Sequence, residues 1–406
     1  MKARLLILAL CVTGCASAAI DNDWPGVGKS CGEVAHPDPK SPPEPLWKRT
    51  TGCATGFFTA RPIHITVKST VPGGGTGVGP TFEADFNADR WQKKFVATEV
   101  TSLRGFWTAE GKYRATHDKF GINNTARDRF ALDFYANARD LPRMLYYGIG
   151  PRTSTTDLTN FREREVRAGA DIFNPFSAWM AAGGRVESIW PQVSGVTDPG
   201  LRSIATAYSE VTAPGITSQP NLIHYEMYAE PRRTGGKFQF DYKASLNFYQ
   251  DHNTGHYTFR RFFIDGTHTF HPTGSQDEIL TIHDRFSVAG TSGLNVVPFY
   301  MMETLGGSDI DGNPTLRGFA DYRFRGIDVL MIQTEYNRRV WGPLGLLGFY
   351  DVGQVANRAS DLSFSEMRHS VGFGIAIWAG NKIWFKASVG LGSGEGRHTY
   401  FGIPSF

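Results

Sequence analysis

The chain has 406 residues, of which 42 are basic and 39 acidic, for a formal net charge of +3. So even a balance excludes the strongly basic footprint of a nucleic-acid-binding protein, and no nucleic acid is expected as a partner. Aromatics make up 13% of the residues and glycines number 46. Beyond the N-terminus no apolar run reaches the roughly 18 residues that a transmembrane helix needs, which leaves soluble domains or one large β-barrel.

In chain order, Met1-Lys2-Ala3-Arg4, the apolar run from Leu5 to Val12 and Ala16-Ser17-Ala18 read as a secretory signal peptide over 1–18, cleaved after Ala18. Val12-Thr13-Gly14-Cys15 is also an imperfect lipobox, so lipidation of Cys15 stays open. Export would place Cys31 and Cys53 in an oxidising compartment, where a disulfide or two free thiols are the alternatives. Residues 19–61 form a Pro-rich periplasmic lead segment. Its prolines at 37, 39, 42, 43 and 45 break helices and favour extended geometry, so the segment is expected to be irregular.

From Ile63 onward the pattern changes to period two. Sixteen strands are expected, near 62–71, 80–89, 93–103, 105–116, 128–140, 162–173, 177–189, 221–230, 237–250, 255–270, 278–290, 328–340, 343–355, 367–379, 382–392 and 397–406. The clearest is 237–250, where Phe238, Phe240, Tyr242, Leu246 and Phe248 alternate with Gln239, Asp241, Lys243, Ser245 and Asn247. Alternation alone also fits a soluble sandwich; the export signal, the even strand number and the aromatic load favour a membrane barrel. Long connections at 142–161, 190–220 and 291–327 alternate with short ones at Asn174-Pro175-Phe176 and Arg232 to Gly236, as outer loops and periplasmic turns do.

Several motifs invite chemical readings that their context does not support. Gly28-Lys29-Ser30-Cys31-Gly32 matches a nucleophile elbow, but lies in a short leader instead of a doubly wound sheet, and no Walker glycine precedes it. Asp309, Asp311 and Asn313 begin like a calcium loop, yet Gly312 and Ala320 fall where that loop needs other residues, so a turn is expected. His252, His256, His268 and His271 flank one hairpin without a recognisable ligand spacing. Glycines 73, 74, 75, 77 and 79, between Pro72 and Pro80, read as a flexible loop. No catalytic residue, metal or cofactor is assigned, and the chain is not expected to be an enzyme.

The C-terminal third is more specific. Leu316-Arg317-Gly318-Phe319 lies in a long loop, and Glu335, Phe349 and Asp351 follow on the polar faces of the next two strands. An arginine inside a lumen cannot be neutralised and needs carboxylates, so these residues suggest a buried clasp. A solvated loop arginine with unrelated strand acids is the plainer alternative.

Leu305-Gly306-Gly307, Leu316-Arg317-Gly318-Phe319, Glu335-Tyr336, the run from Gly348 to Val355 and the terminal Phe406 resemble the Omp85 superfamily, the bacterial surface antigen D15 or BamA/TamA family. The resemblance is strong over about 295–406 and rests on strand rhythm over 62–294. It implies an all-β fold: a 16-stranded antiparallel transmembrane outer-membrane barrel over 62–406, with an inward-folded loop between strands 11 and 12. By the resemblance, Arg317 meets Glu335 and Asp351, and Phe349 packs against it.

Two departures bear on function. The lead segment has no room for the periplasmic POTRA repeats of family members that insert or translocate proteins, and the lipolytic domain of the patatin-fused members is missing. Gly402 and Pro404 weaken the last strand, so the seam of Ile65, Gly402, Pro404 and Phe406 is expected to pair poorly. The expected function is assistance of outer-membrane protein insertion or polypeptide translocation through a gated barrel. The alternative is a pore or surface component that passes small solutes or lipids. Expected surroundings are outer-membrane lipid and lipopolysaccharide, with a POTRA-bearing periplasmic partner or nascent outer-membrane proteins as protein partners.

Overall fold

The computed structural model describes residues 22–35, 46–88, 90–121, 129–198 and 200–402. The signal peptide, Cys15, the proline cluster, Pro404 and Phe406 lie outside them. Sixteen long strands dominate the described chain: β1 Ile63–Ser69, β2 Thr76–Ala88, β3 Trp91–Ser102, β4 Trp107–Gly121, β5 Arg129–Tyr146, β6 Thr159–Ser177, β7 Met180–Gly195 and β8 Leu222–Arg233. There follow β9 Phe238–Asp251, β10 Phe259–Phe270, β11 Glu278–Thr291, β12 Asp328–Trp341, β13 Leu344–Ala356, β14 Arg368–Ala379, β15 Lys382–Gly392 and β16 Gly396–Gly402. Each pairs antiparallel with the next along the chain, from β1 with β2 to β15 with β16.

The sheet is inside out relative to a soluble protein. On β9 the apolar Leu246 and Phe248 are exposed, while Ser245 and Asn247 between them are buried. On β14 Phe373 is 68% exposed, whereas Asp351 on neighbouring β13 is 0% exposed. A continuous exposed apolar wall with ionic groups inside is unstable in water and suited to lipid, so these strands span a membrane. The sheet also curls back on itself. Tyr400 of β16 donates to the Phe319 carbonyl at 3.1 Å, and Tyr322 donates to the Pro72 carbonyl in the β1–β2 turn at 3.3 Å. One short segment therefore touches both ends of the sheet, which makes the sheet a barrel around that segment.

Among the described residues no backbone pairing joins the first strand to the last. Among the described residues β1 has a register with β2 alone, and β16 with β15 alone. β16 is described as far as Gly402.

The lead segment departs from expectation. Instead of irregular chain it forms two helices, α1 Trp24–Ala35 and α2 Leu46–Thr59, joined by the Cys31–Cys53 disulfide. The five clustered prolines fall between the helices in sequence, and the one inside α1, Pro25, occupies the first turn, where a missing N–H costs nothing. Asn22 supplies the cap by accepting from the Trp24 N–H at 3.2 Å. Isolated helices this short are marginal in water, so the covalent bond and packing on the barrel sustain them. Trp24 meets Phe57 edge-on and donates from Nε1 to the Ile63 carbonyl of β1 at 2.9 Å. Gly28-Lys29-Ser30-Cys31-Gly32 is therefore a stretch of helix and not a strand-turn-helix elbow.

Strand limits differ from the sequence reading in two instructive places. β2 begins at Thr76 and includes Gly77 and Gly79, because a Cβ at Gly79 would lie 1.8 Å from the Glu99 carbonyl of β3. Those glycines serve close strand approach instead of loop flexibility. Asn174-Pro175-Phe176 is not a turn: β6 runs through it to Ser177, with a register shift between Pro175 and Ser177 that accommodates the missing donor.

Reduction of the lead hairpin gives the first prediction. Cys53→Ser should make α1 and α2 several-fold more sensitive to trypsin while the barrel still migrates as a folded species on unheated gels. Equal proteolysis of the two proteins would show that packing on β1 suffices without the bond.

Candidate functional site: an arginine latch between loop and wall

Residues 292–327, between β11 and β12, turn inward. Their base is a short hairpin of Glu303–Leu305 with Phe324–Gly326. Gly306 and Gly307 then reverse the chain at φ 109° and 57°, where a side chain would also collide with the 320–323 backbone and Asp321. Leu316 and Phe319 are fully enclosed with Leu305, Phe324, Val329, Met331 and Val355, so an apolar cluster anchors the loop against the wall. Burying those two side chains contributes roughly 2–3 kcal/mol each.

Between them stands Arg317, 7% exposed. Its Nε donates to Asp351 Oδ2 at 3.0 Å and its Nη2 to Asp351 Oδ1 at 2.7 Å, a two-pronged contact with the carboxylate. Its backbone N–H also donates to Asp351 Oδ2, at 3.0 Å, and Nη1 donates to Glu335 Oε2. The guanidinium carbon lies 3.6 Å from the centre of the Phe349 ring. Burial by itself would lower the pKa of Arg317, but the Asp351 and Glu335 carboxylates outweigh it and hold the group above its ordinary value. The structure thus brings Leu316, Arg317, Gly318, Phe319, Glu335, Phe349 and Asp351 into one site.

Several residues that complete the latch were not singled out in the sequence. Lys386 of β15 donates to Glu335, and Asn337 does so at 2.9 Å, so the site holds two cations and two anions. Loss of Arg317 would therefore leave Asp351 without a cation, whereas Glu335 would keep Lys386. Glycines in the wall make the room. A Cβ at Gly390 would lie 2.3 Å from the Arg317 carbonyl oxygen, one at Gly392 2.2 Å from that of Gly318, and one at Gly372 2.2 Å from the Phe349 ring. The inward row Ser388, Gly390, Gly392 was a legible signal, since small residues along the inner face of a strand mark close backbone approach.

Two further tethers hold the same loop. Arg323 donates from Nε to both Glu395 oxygens at 2.8 Å, and from Nη2 to the Thr153 carbonyl at 2.6 Å. Arg285 of β11 donates to Asp309 at 2.9 Å. Asp309 also accepts from the N–H groups of Asp311 and Asn313, at 3.1 and 2.9 Å, so this stretch is an Asx-type turn instead of a calcium loop. The four histidines do not converge: His268 lies on the outer wall, and His271 contacts the Glu278 carbonyl at 3.0 Å. Among the described residues no group of three His, Cys, Asp or Glu is placed to hold a metal. Of the seam residues, Ile65 is 40% exposed on the outward face of β1, Gly402 is the last described residue of β16, and Pro404 and Phe406 lie outside the described residues.

No protein-family model and no curated protein sequence matches this chain. Among solved structures it is similar to BamA from Haemophilus ducreyi lacking POTRA domains 1–3, at 10% identity and TM-score 0.54, over 94% of this chain and 81% of that one. It is also similar to CdiB from Acinetobacter baumannii, at 11% identity and TM-score 0.49, over 82% of this chain and 57% of that one. The first likeness establishes the fold, a membrane barrel of BamA architecture.

The latch yields the second prediction. Arg317→Ala should lower stability by about 3–5 kcal/mol, because it leaves the enclosed Asp351 without its cation. Arg317→Lys, which keeps the charge and loses the planar fork, should lose less. Urea titration followed on unheated gels measures both, and an unchanged midpoint for Arg317→Ala would contradict the latch.

Proposed function

We propose that this chain is an Omp85-type barrel of the bacterial outer membrane that assists insertion or translocation of polypeptide. One observation carries the reading: among the described residues β1 and β16 share no register, so over those residues neither strand has a backbone partner on its outer edge. An exposed edge is a template for another strand, and a barrel that leaves one open forgoes the usual protection. The outward face of β1 carries Ile63, Ile65 and Val67, all exposed, which suits a segment arriving through lipid. The likeness to BamA supports the architecture that this reading requires. In this reading the chain catalyses no covalent step, and its partners are nascent outer-membrane proteins, surrounding lipid and lipopolysaccharide, and a POTRA-bearing periplasmic protein.

A panel of cysteine pairs tests it, one member replacing Ile63, Ile65 or Val67 and the other Thr399 or Phe401. The assay is the rate at which a urea-denatured outer-membrane barrel folds into vesicles that contain this protein. Any pair that cross-links on oxidation should abolish the assistance, and reductant should restore it. Full activity in the cross-linked protein would refute the proposal. The Cys31–Cys53 bond is also reducible, so unmodified protein with reductant is the control.

A second reading, a pore for small solutes or lipids, is favoured by two polar cavities of about 490 and 480 Å³ that flank the loop near Asp311. Planar-bilayer recording separates the two. A gated barrel should conduct little until Arg317→Ala releases the loop; large steady conductance that is the same in both proteins would favour the pore.

A further inference from the structure

The outer wall carries an ionisable pair at mid-depth. On β9, β10 and β11 the odd-numbered residues line the interior, as Lys243, Arg261 and Arg285 do around the central cavity, so the even-numbered ones face lipid. Tyr242, His268 and Asp284 are therefore on the lipid side. Asp284 has two apolar outward neighbours on each side along its strand, Leu280 and Ile282, then Phe286 and Val288. Two residues advance a tilted strand by about 5 Å of depth, so Asp284 lies about 10 Å inside the apolar band from either edge. A carboxylate at that depth is costly and marks a functional surface with a partner to be named.

Within the chain its needs are half met. Tyr242 donates from its hydroxyl to Asp284 Oδ1 at 2.7 Å, and His268 Nε2 lies 3.8 Å from the same oxygen and within hydrogen-bond reach of the Tyr242 hydroxyl. Gly266 makes this possible. It stands in register between Tyr242 and Asp284, and a Cβ there would lie 2.1 Å from the tyrosine ring that crosses it. The acid remains open on its other side, since among the described residues nothing donates to Asp284 Oδ2. His268 Nδ1 is enclosed without a partner, so Nε2, beside the Tyr242 hydroxyl, is the ring nitrogen that can turn to another carboxylate.

We propose that this patch is a contact surface for a second copy of the same chain. Two copies in one membrane share an orientation, so a two-fold axis relating them runs along the membrane normal and sets residues of equal depth opposite each other. His268 and Asp284 are near neighbours on adjacent strands. An axis between them places each His268 against the other copy's Asp284, and the contact is made twice. A patch of acids alone would repel its own copy; this one is self-complementary. In lipid, association is driven by such polar contacts and by close packing of small residues, and Ala244 follows Tyr242 on the same outward face of β9.

The full chain with Ala244→Cys, reconstituted in phosphatidylethanolamine/phosphatidylglycerol vesicles, tests the surface by oxidative cross-linking. A covalent dimer is expected, and Asp284→Leu should reduce its yield about tenfold, as loss of two polar contacts in lipid implies. Migration as a folded species on unheated gels keeps misfolding out of the comparison. A charge exchange adds a second arm: His268→Asp alone and Asp284→His alone should not cross-link, whereas an equal mixture of the two should. The proposal is overturned if the parent protein stays monomeric at every protein-to-lipid ratio. It also fails if the dimer is indifferent to Asp284→Leu, or if the mixed variants do no better than either one.

Discussion

The seat of the inward loop on the wall depends on the burial of one permanent charge. Arg317 cannot shed its proton, and inside a barrel its desolvation must be offset by carboxylates fixed in the right geometry. β12 and β13 supply Glu335 and Asp351 from adjacent strands, and β15 supplies Lys386, which keeps the site neutral in sum. Because the loop backbone must come within contact of β15, that strand has glycine where any side chain would stand in the way. The latch is thus a constraint on four elements at once.

The same loop also accounts for how the barrel ends are held. No ladder joins β1 to β16 among the described residues, yet Tyr322 reaches the first turn, while Phe319 and Arg323 are held by Tyr400 and Glu395 at the other end. Among the described residues, side-chain contacts through the loop are what link the two ends. Such contacts are few and polar, and they can be exchanged without unfolding the sheet. This is the physical basis for reading the edges as available to another strand.

Much of this was legible in the sequence. Period-two alternation gave the strands because their two faces meet lipid and an ionic lumen, two solvents of opposite preference. Arg317, Glu335, Phe349 and Asp351 were legible because charge on the inner face of a strand demands a counter-charge nearby. Lys386, Arg323 and Glu395 were not, since a lone charge on a strand or turn looks the same whether it faces water or a partner distant in sequence. The lead helices were missed because clustered prolines were allowed to speak for the segments on either side of them. Tyr242, His268 and Asp284 looked like ordinary members of three strands; Asp284 lies 42 residues from Tyr242, and register alone makes them neighbours.

The sequence by itself determined which residues share a face of each strand, since alternation is a local property and needs no knowledge of the partner strand; the export signal, the strand number and the resemblance over 295–406 were what pointed to a membrane barrel with one inward loop. Tertiary structure alone decided how the first and last strands stand to each other, which glycines admit the loop, and where acid and base meet on the outer wall. Those depend on register and on the closing of the sheet, which bring together residues that no local pattern connects.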